Sequence, residues 1–97
     1  TGGRFSAADA ETMGLVNRVV PVDELEALVT SLATTIAENA PMTVKAAKAA
    51  INEGTKNPDE RELDLVAVMV EACFNSEDYK EGRRAFMEKR KPEFQGK

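Results

Sequence analysis

Histidine is absent from the 97-residue sequence, and cysteine occurs once, as Cys73. The first absence excludes a histidine general base, a histidine-containing triad and a histidine metal site, and one cysteine excludes a cysteine-rich zinc site. We therefore expect no metal site. A single thiol forms no internal disulfide, which fits a reducing compartment, so we expect a cytoplasmic protein. Because Cys73 lies in an apolar stretch, we interpret it as an inert packing residue.

Long apolar runs, glycine loops and aromatic residues are also scarce. No apolar stretch approaches the roughly 20 residues of a membrane-spanning helix, and the first residues lack a signal-peptide pattern. Gly2-Gly3 is too short for a phosphate-binding glycine loop. Aromatic residues make up 5% of the chain, and its basic tail is one short helix end, which gives little support to nucleic-acid binding. We expect neither a membrane nor a nucleic-acid partner.

The net charge of −4 conceals a gradient along the chain. Residues 1–79 contain 6 basic and 14 acidic residues, whereas residues 80–97 contain 7 basic and 3 acidic ones. A basic end on an acidic body suggests contact with an anion such as a phosphate-bearing ligand. The alternative is a solvated basic helix end, which suits the negative end of the helix dipole.

Capping residues and prolines divide the sequence into about five helices. Ser6 suits the start of the first helix and Gly14 its left-handed end, and residues 15–20 fit an extended connector or a short strand. The other predicted helices span about residues 23–39, 41–54, 58–74 and 77–91, the last one capped by Ser76 and ended by Pro92. No pattern supports a sheet, so the predicted fold class is all-α.

Two predicted helices carry features that a small isolated bundle does not explain. Residues 63–74 are apolar around nearly the whole circumference, which is typical of a helix buried on every side. Ninety-seven residues can hardly bury such a helix, so we expect another domain or subunit to cover part of it. Gly82 lies inside the last helix at a cost of about 1 kcal/mol relative to alanine, which indicates a close packing contact.

The segment Phe86–Phe94 is the one pattern that suggests a ligand. An exposed aromatic ring beside cations can stack on a nucleotide base while the cations meet phosphate groups. The alternative is a packed Phe86 with a solvated basic rim.

Three groups of residues, in order along the chain, form a recognisable pattern. They are Thr1-Gly2 with Arg4–Ala10 and Gly14–Pro21; Ala40-Pro41 with Lys45 and Lys48; and Ser76-Glu77-Asp78 with Glu81-Gly82 and Ala85–Phe94. This pattern resembles the C-terminal region of the enoyl-CoA hydratase/isomerase (crotonase) family, over essentially the whole chain and with matching spacing. The resemblance implies one helical trimerisation and capping domain over residues 1–97 of a longer chain, without the family's β/α spiral core.

The resemblance also implies where the chemistry resides. The family's core binds an acyl-CoA thioester and polarises its carbonyl with two backbone amides, and the hydratases use two core glutamates to manage a water molecule. No position of this sequence matches those motifs, so we expect no catalytic residue here and no activity from this chain alone. Coenzyme A enters as part of the substrate, and we expect no separate cofactor.

Phe86 and Lys89 match tail positions that, in similar hydratases, approach the adenine and ribose-phosphate end of coenzyme A bound mainly by a neighbouring subunit. A ring suits the base and an ammonium suits the phosphate. Arg90 and Lys91 are weaker candidates. Val70 departs from some hydratases, which have an aromatic residue in this region beside the adenine.

The resemblance finally implies a homo-oligomer, a trimer or hexamer, whose longer chain acts on an acyl-CoA substrate. That enzyme would hydrate 2-enoyl-CoA or shift its double bond. The alternative is a noncatalytic helical interaction module derived from the same fold, which would oligomerise without acyl-CoA chemistry.

Overall fold

The computed structural model describes residues 2–97, which form two compact units, one up to Leu32 and one of Ala33–Lys97. These residues contain five α-helices, one 3-10 turn and no strand, so the all-α prediction is confirmed. The helices are α1 (Ala7–Thr12), α2 (Val22–Ala37), α3 (Pro41–Gly54), α4 (Leu63–Asn75) and α5 (Glu77–Glu88), with the 3-10 turn at Pro58–Glu60. Within residues 2–97, no helix is long and apolar enough to cross a membrane.

In the first unit, α1 begins and ends as its sequence predicts. The Ser6 hydroxyl accepts a hydrogen bond from the Asp9 N–H at 3.1 Å, and the Asp9 carboxylate accepts one from the Ser6 N–H at 2.9 Å. The Ser6 hydroxyl also donates to that carboxylate at 2.7 Å, and this bond first, followed by the Ser6 N–H bond, lowers the pKa of Asp9. At the other end Gly14 has φ +76°, and the Leu15 N–H donates to the Ala10 carbonyl at 2.9 Å, which closes the helix.

Residues 15–20 form a connector rather than a short strand. The Val19 N–H donates to the Glu11 carboxylate at 3.1 Å, so the connector is held against α1 by a side chain instead of a neighbouring strand. The next helix, α2, starts at Val22 with Asp23 and Glu24 in its first turn, as expected from the helix dipole. The division between the two units falls within α2.

In the second unit, α4 packs against α3 and contacts α5. The half-buried residues of α4 are Val66, Met69 and Cys73, whose spacing of three and four residues defines one helical face. Other large side chains of α4 are exposed, with Leu65 at 52% and Val68 at 63%. The complete burial predicted from the apolar circumference is therefore not reached within residues 2–97, and most of the helix surface is open.

The prediction that α4 starts directly after Asn57-Pro58 is wrong. A 3-10 turn follows Asn57, and α4 begins only at Leu63. The cause is Glu53, whose carboxylate accepts a hydrogen bond from the Glu62 N–H at 2.9 Å and pairs with Lys56 at 2.8 Å. These contacts, the Lys56 bond first, lower the pKa of Glu53 and fix the connection in a non-helical path.

The last helix also ends earlier than predicted. Lys89 has φ +55°, in the left-handed region, so α5 stops at Glu88 and the three basic residues 89–91 lie beyond its last turn. The interpretation of these residues as cations within that turn is therefore wrong. The close packing predicted at Gly82 is confirmed, since the Phe94 ring lies 3.5 Å from the point that a Cβ on Gly82 would occupy.

Ser76 provides a test of this unit's stability. Its buried hydroxyl accepts a hydrogen bond from the Tyr79 N–H at 3.0 Å and donates one to the Cys73 carbonyl at 2.7 Å. We expect Ser76→Ala to lower the free energy of unfolding by about 1–2 kcal/mol, measured by denaturant unfolding followed by circular dichroism. Ser76→Thr keeps the capping oxygen and should lose less. Equal stability of Ser76→Ala and the wild type would contradict this role.

Candidate functional site

An open and mainly apolar groove of about 720 Å³ lies in the second unit, between α3, the end of α4, α5 and the C-terminal tail (residues 90–97). Its lining is Ala40, Met42, Thr43, Ala46, Ala47, Ala50, Val70, Cys73, Phe74, Ser76, Asp78, Tyr79, Gly82, Arg83, Phe86, Met87 and Phe94. Small residues on α3 and Gly82 on α5 leave room between the helices. The predicted site residue Phe86 borders this groove, whereas Lys89 does not.

Phe86 is open to solvent. Its side chain is 82% exposed, so within residues 2–97 the packed alternative for this ring is not realised. Tyr79, Gly82, Arg83 and Phe86 are spaced three, one and three residues apart, which places them on one face of α5 along the groove. The ring therefore offers a flat apolar surface that borders the groove.

Two further aromatic rings, Phe74 of α4 and Tyr79 of α5, line the groove. The rings of Phe74 and Tyr79 meet edge to face with centroids 5.2 Å apart and planes at 71°. The Arg83 guanidinium lies over the Tyr79 ring, 5.9 Å from its centroid. The groove thus has one cation on its lining, supported by an aromatic ring.

Lys89 and Phe86 are joined by the turn that ends α5. The Lys89 N–H donates to the Phe86 carbonyl at 3.2 Å, and the Arg90 N–H donates to the Ala85 carbonyl at 3.0 Å. In such a turn the left-handed position is usually glycine, and a residue with a Cβ costs roughly 1 kcal/mol there. Lys89 therefore occupies a position that favours glycine.

The ion pairs of the basic end of the chain (residues 80–97) divide its cations into paired and unpaired ones. Lys80, Arg84 and Arg90 each pair with a glutamate of α5, and Lys91 pairs with Glu38. In the part of the chain that the structure describes, neither Lys89 nor Arg83 has a carboxylate partner. The weaker candidates Arg90 and Lys91 are therefore occupied within the chain, and Lys89 keeps an unpaired charge.

Glu81 is the centre of a charged cluster on the other side of α5. Its carboxylate, on a residue that is 9% exposed, accepts hydrogen bonds from Arg90 at 2.6 and 3.0 Å, from Arg84 at 2.6 Å and from the Glu93 N–H at 3.0 Å. Arg90 is the largest cause of the lowered pKa of Glu81, and Glu81 in turn raises the pKa of Arg90. We call Glu81, Arg84, Arg90 and the Glu93 amide the Glu81 cluster.

Asp78 holds the end of the tail. It is 3% exposed, and its carboxylate accepts hydrogen bonds from the Gln95 N–H at 2.6 Å and the Gly96 N–H at 2.8 Å. The Asp78 N–H donates to the Lys97 carbonyl at 3.1 Å. The tail is therefore folded back along α5, which is what places the Phe94 ring on Gly82.

The contacts of Asp78 and Glu81 with the tail were not predicted from the sequence. The available signal was a pair of acidic residues three positions apart on one helix, followed by a tail whose backbone donors lack a helix or strand to pair with.

Among residues 2–97, no group of three or more histidine, cysteine, aspartate and glutamate side chains is arranged to hold a metal ion.

Comparison with known proteins places similarity along the whole chain. The enoyl-CoA hydratase/isomerase family model matches residues 1–97. The chain is 38% identical over 97 residues to a probable mitochondrial enoyl-CoA hydratase of Dictyostelium discoideum, covering 100% of this chain and 35% of that one. It is 39% identical over 100 residues to methylmalonyl-CoA decarboxylase of Escherichia coli, covering 99% of this chain and 38% of that one.

A solved structure gives the same result. The crystal structure of enoyl-CoA hydratase from Bacillus anthracis superposes with a TM-score of 0.84 at 36% identity, covering 98% of this chain and 37% of that one. The chain therefore spans little more than a third of the length of these relatives.

The lowered pKa of Glu81 predicts how the tail responds to acid. Because the folded state favours the carboxylate, its contribution is complete above the ordinary pKa of 4.5 and is lost as pH falls below that value towards the lowered one. We expect the Glu93 amide, which donates to Glu81, to lose protection from hydrogen exchange as pH falls below about 4.5.

The variant Glu81→Gln should lower the protection of the Glu93 amide already near neutral pH and remove most of its pH dependence. The matched control is Glu77→Gln, because Glu77 and its partner Lys80 are both 66% exposed and such a pair contributes little. Gln95 and Gly96 donate to Asp78 instead, so their amides report that carboxylate separately. An unchanged Glu93 profile in Glu81→Gln would contradict this assignment.

Proposed function

This chain belongs to the enoyl-CoA hydratase/isomerase family, and we propose that it is the oligomerisation and acyl-CoA-capping part of a longer enzyme, the parent enzyme. The parent enzyme would hydrate 2-enoyl-CoA or shift its double bond. Support comes from relatives named enoyl-CoA hydratase, of which this chain covers 35–37%. A relative named methylmalonyl-CoA decarboxylase shares 39% identity with the same stretch, so the choice of reaction depends on residues outside this chain.

The observation that carries the capping and assembly role is the apolar surface of α4. Leu63, Leu65 and Val68 are 61%, 52% and 63% exposed, and no described residue covers them further. Burying one such side chain contributes about 1.5–3 kcal/mol, so a partner surface on this helix would stabilise the chain considerably. Leu65 and Val68, three residues apart, lie on one face of α4, and an exposed apolar patch is typical of a surface that contacts other protein.

The proposed contact with coenzyme A rests on Phe86 and Lys89. The exposed Phe86 ring can stack on the adenine, and the unpaired Lys89 ammonium, three residues further along in the turn that ends α5, can meet a phosphate group. The apolar groove beside Phe86 would then be covered by the remainder of the parent enzyme or by a neighbouring subunit, which would supply most of the coenzyme A site.

Catalysis is assigned to the rest of the parent enzyme, and this chain alone is proposed to be inactive. Three carboxylates with a lowered pKa serve structural purposes: Asp9 caps α1, Glu53 holds the connection to α4, and Glu81 holds the tail. Hydrogen bonds lower the pKa of each of them, which makes them poor proton carriers near neutral pH. Coenzyme A would arrive as part of the substrate.

The alternative is a noncatalytic helical interaction module, which would expose the same apolar face of α4. Reading the gene upstream of the Thr1 codon separates the two. An open frame that continues for about 150–200 residues, the span of another domain, with core glutamates would support the parent enzyme. A start codon directly before Thr1 would leave the interaction module. The cytoplasmic location stays a prediction, since one relative's name places that protein in mitochondria.

The coenzyme A contact is tested in the parent enzyme by calorimetric titration with coenzyme A. We expect Phe86→Ala and Lys89→Ala each to weaken binding about tenfold, because a base stack and a charged hydrogen bond each contribute about 1–3 kcal/mol. Phe86→Tyr and Lys89→Arg keep the ring and the charge and should bind nearly as well as the wild type. Lys80→Ala, which removes an exposed lysine of α5, is the matched charge control. Unchanged affinity in both alanine variants would remove this site.

The open face of α4 predicts self-association of the 97-residue chain. Light scattering should show a species larger than a monomer that dissociates on dilution. Val68→Glu places a charge on the exposed face and should shift the population towards the monomer, since a buried unpaired charge is strongly unfavourable. Lys80→Glu, on an exposed polar position, is the control and should leave the assembly unchanged. A compact and stable monomer for the wild type would argue against the assembly role.

A further inference from the structure

We propose that Glu81 is a positioning residue for the coenzyme A contact, which acts through Arg90 to hold the turn that presents Lys89. This inference rests on the proposed function, because it assumes that Lys89 meets the ligand. Glu81 itself lies on the side of α5 away from the groove and touches no ligand in this proposal. Its role is to select one of the backbone paths that the end of α5 could take.

The link between Glu81 and Arg90 has the geometry of a two-point clamp. Arg90 Nη1 lies 2.6 Å from Glu81 Oε1, and Arg90 Nη2 lies 3.0 Å from Oε2, so two parallel hydrogen bonds join the guanidinium to the carboxylate. Glu88 accepts a further bond from Arg90 Nε at 2.6 Å. Because Arg90 directly follows Lys89, this pair of hydrogen bonds fixes the chain immediately after the left-handed residue.

The turn needs such a clamp because its central residue is a lysine. With φ +55°, Lys89 adopts a left-handed conformation, which is unfavourable for a residue with a side chain. If α5 continued by one more right-handed residue instead, the side chain at position 89 would be rotated around the helix relative to its present direction. In the observed left-handed path, Arg90 and the Glu93 N–H both donate to the Glu81 carboxylate.

The rest of the tail has an independent anchor. Asp78 holds Gln95 and Gly96 through two backbone hydrogen bonds, and Phe94 packs on Gly82. Replacing Glu81 therefore loosens the turn at Lys89 while the distal tail stays attached. The effect of the replacement can for this reason be separated from a general loss of structure.

The test is a double-mutant cycle of coenzyme A affinity in the parent enzyme, measured by calorimetry for the wild type, Glu81→Gln, Lys89→Ala and the double variant. We expect Glu81→Gln to weaken binding about fivefold when Lys89 is present and to have almost no effect when Lys89 is alanine, because coupled residues are not additive. Glu77→Gln, which breaks an exposed ion pair on the same helix, should leave affinity unchanged in both backgrounds.

A second variant protects the test against a folding defect. Arg90→Gln breaks the same clamp from the tail side and leaves the Glu81 carboxylate with Arg84 and the Glu93 amide. It should show the same dependence on Lys89. Protection of the Gln95 and Gly96 amides from hydrogen exchange checks that the distal tail remains attached in each variant.

Each outcome decides a different point. An equal loss of affinity from Glu81→Gln in both backgrounds would mean a purely structural role and would overturn the inference. A loss with Lys89→Ala but none with Glu81→Gln or Arg90→Gln would also overturn it, while the proposed function would stand. If Lys89→Ala itself binds coenzyme A like the wild type, the proposed contact fails and the inference fails with it.

Discussion

Two buried carboxylates on α5 determine the form of the second unit. Asp78 and Glu81 accept backbone hydrogen bonds from the tail, so the last residues run back along the helix instead of leaving it. The Phe94 ring reaches Gly82 only because of this path, and the tail then becomes one wall of the apolar groove. Backbone donors that have no helix or strand partner are satisfied by side chains here, which is the condition for an ordered tail without secondary structure.

The polar groups of this chain find partners within it, whereas many of its apolar side chains do not. The charged cluster around Glu81 is satisfied internally, whereas the apolar side chains of α4, such as Leu63 and Val68, are largely open. Hydrogen bonds and ion pairs thus define the local geometry, but they contribute little net stability compared with apolar burial. The polar contacts of the chain are therefore made within the chain itself. The apolar side chains of α4 would need further protein surface to become buried. This asymmetry fits a part of a larger assembly better than a self-sufficient bundle.

Sequence reasoning succeeded where a signal is local and failed where a contact spans several residues. Caps at Ser6 and Ser76 and the left-handed stop at Gly14 involve neighbours within a few positions, and each was predicted correctly. The start of α4 and the end of α5 depend on Glu53 reaching residue 62 and Glu81 reaching residue 90, nine positions away in each case. The sequence left open whether Phe86 is exposed or packed, and the left-handed conformation of Lys89 beside it had no local signal.

The ion pairs of α5 and the tail change how the charge gradient of the sequence is interpreted. Most cations of the basic end are neutralised within the chain, by α5 glutamates or by Glu38, so the net positive charge overstates what a ligand would meet. Lys89 and Arg83 are left without carboxylate partners among residues 2–97, one beside Phe86 at the end of the helix and one on the groove face. These two cations and the exposed Phe86 ring are the groups on which the proposed coenzyme A contact depends. Four of the seven cations of residues 80–97, namely Lys80, Arg84, Arg90 and Lys91, are therefore already paired with carboxylates of the chain itself.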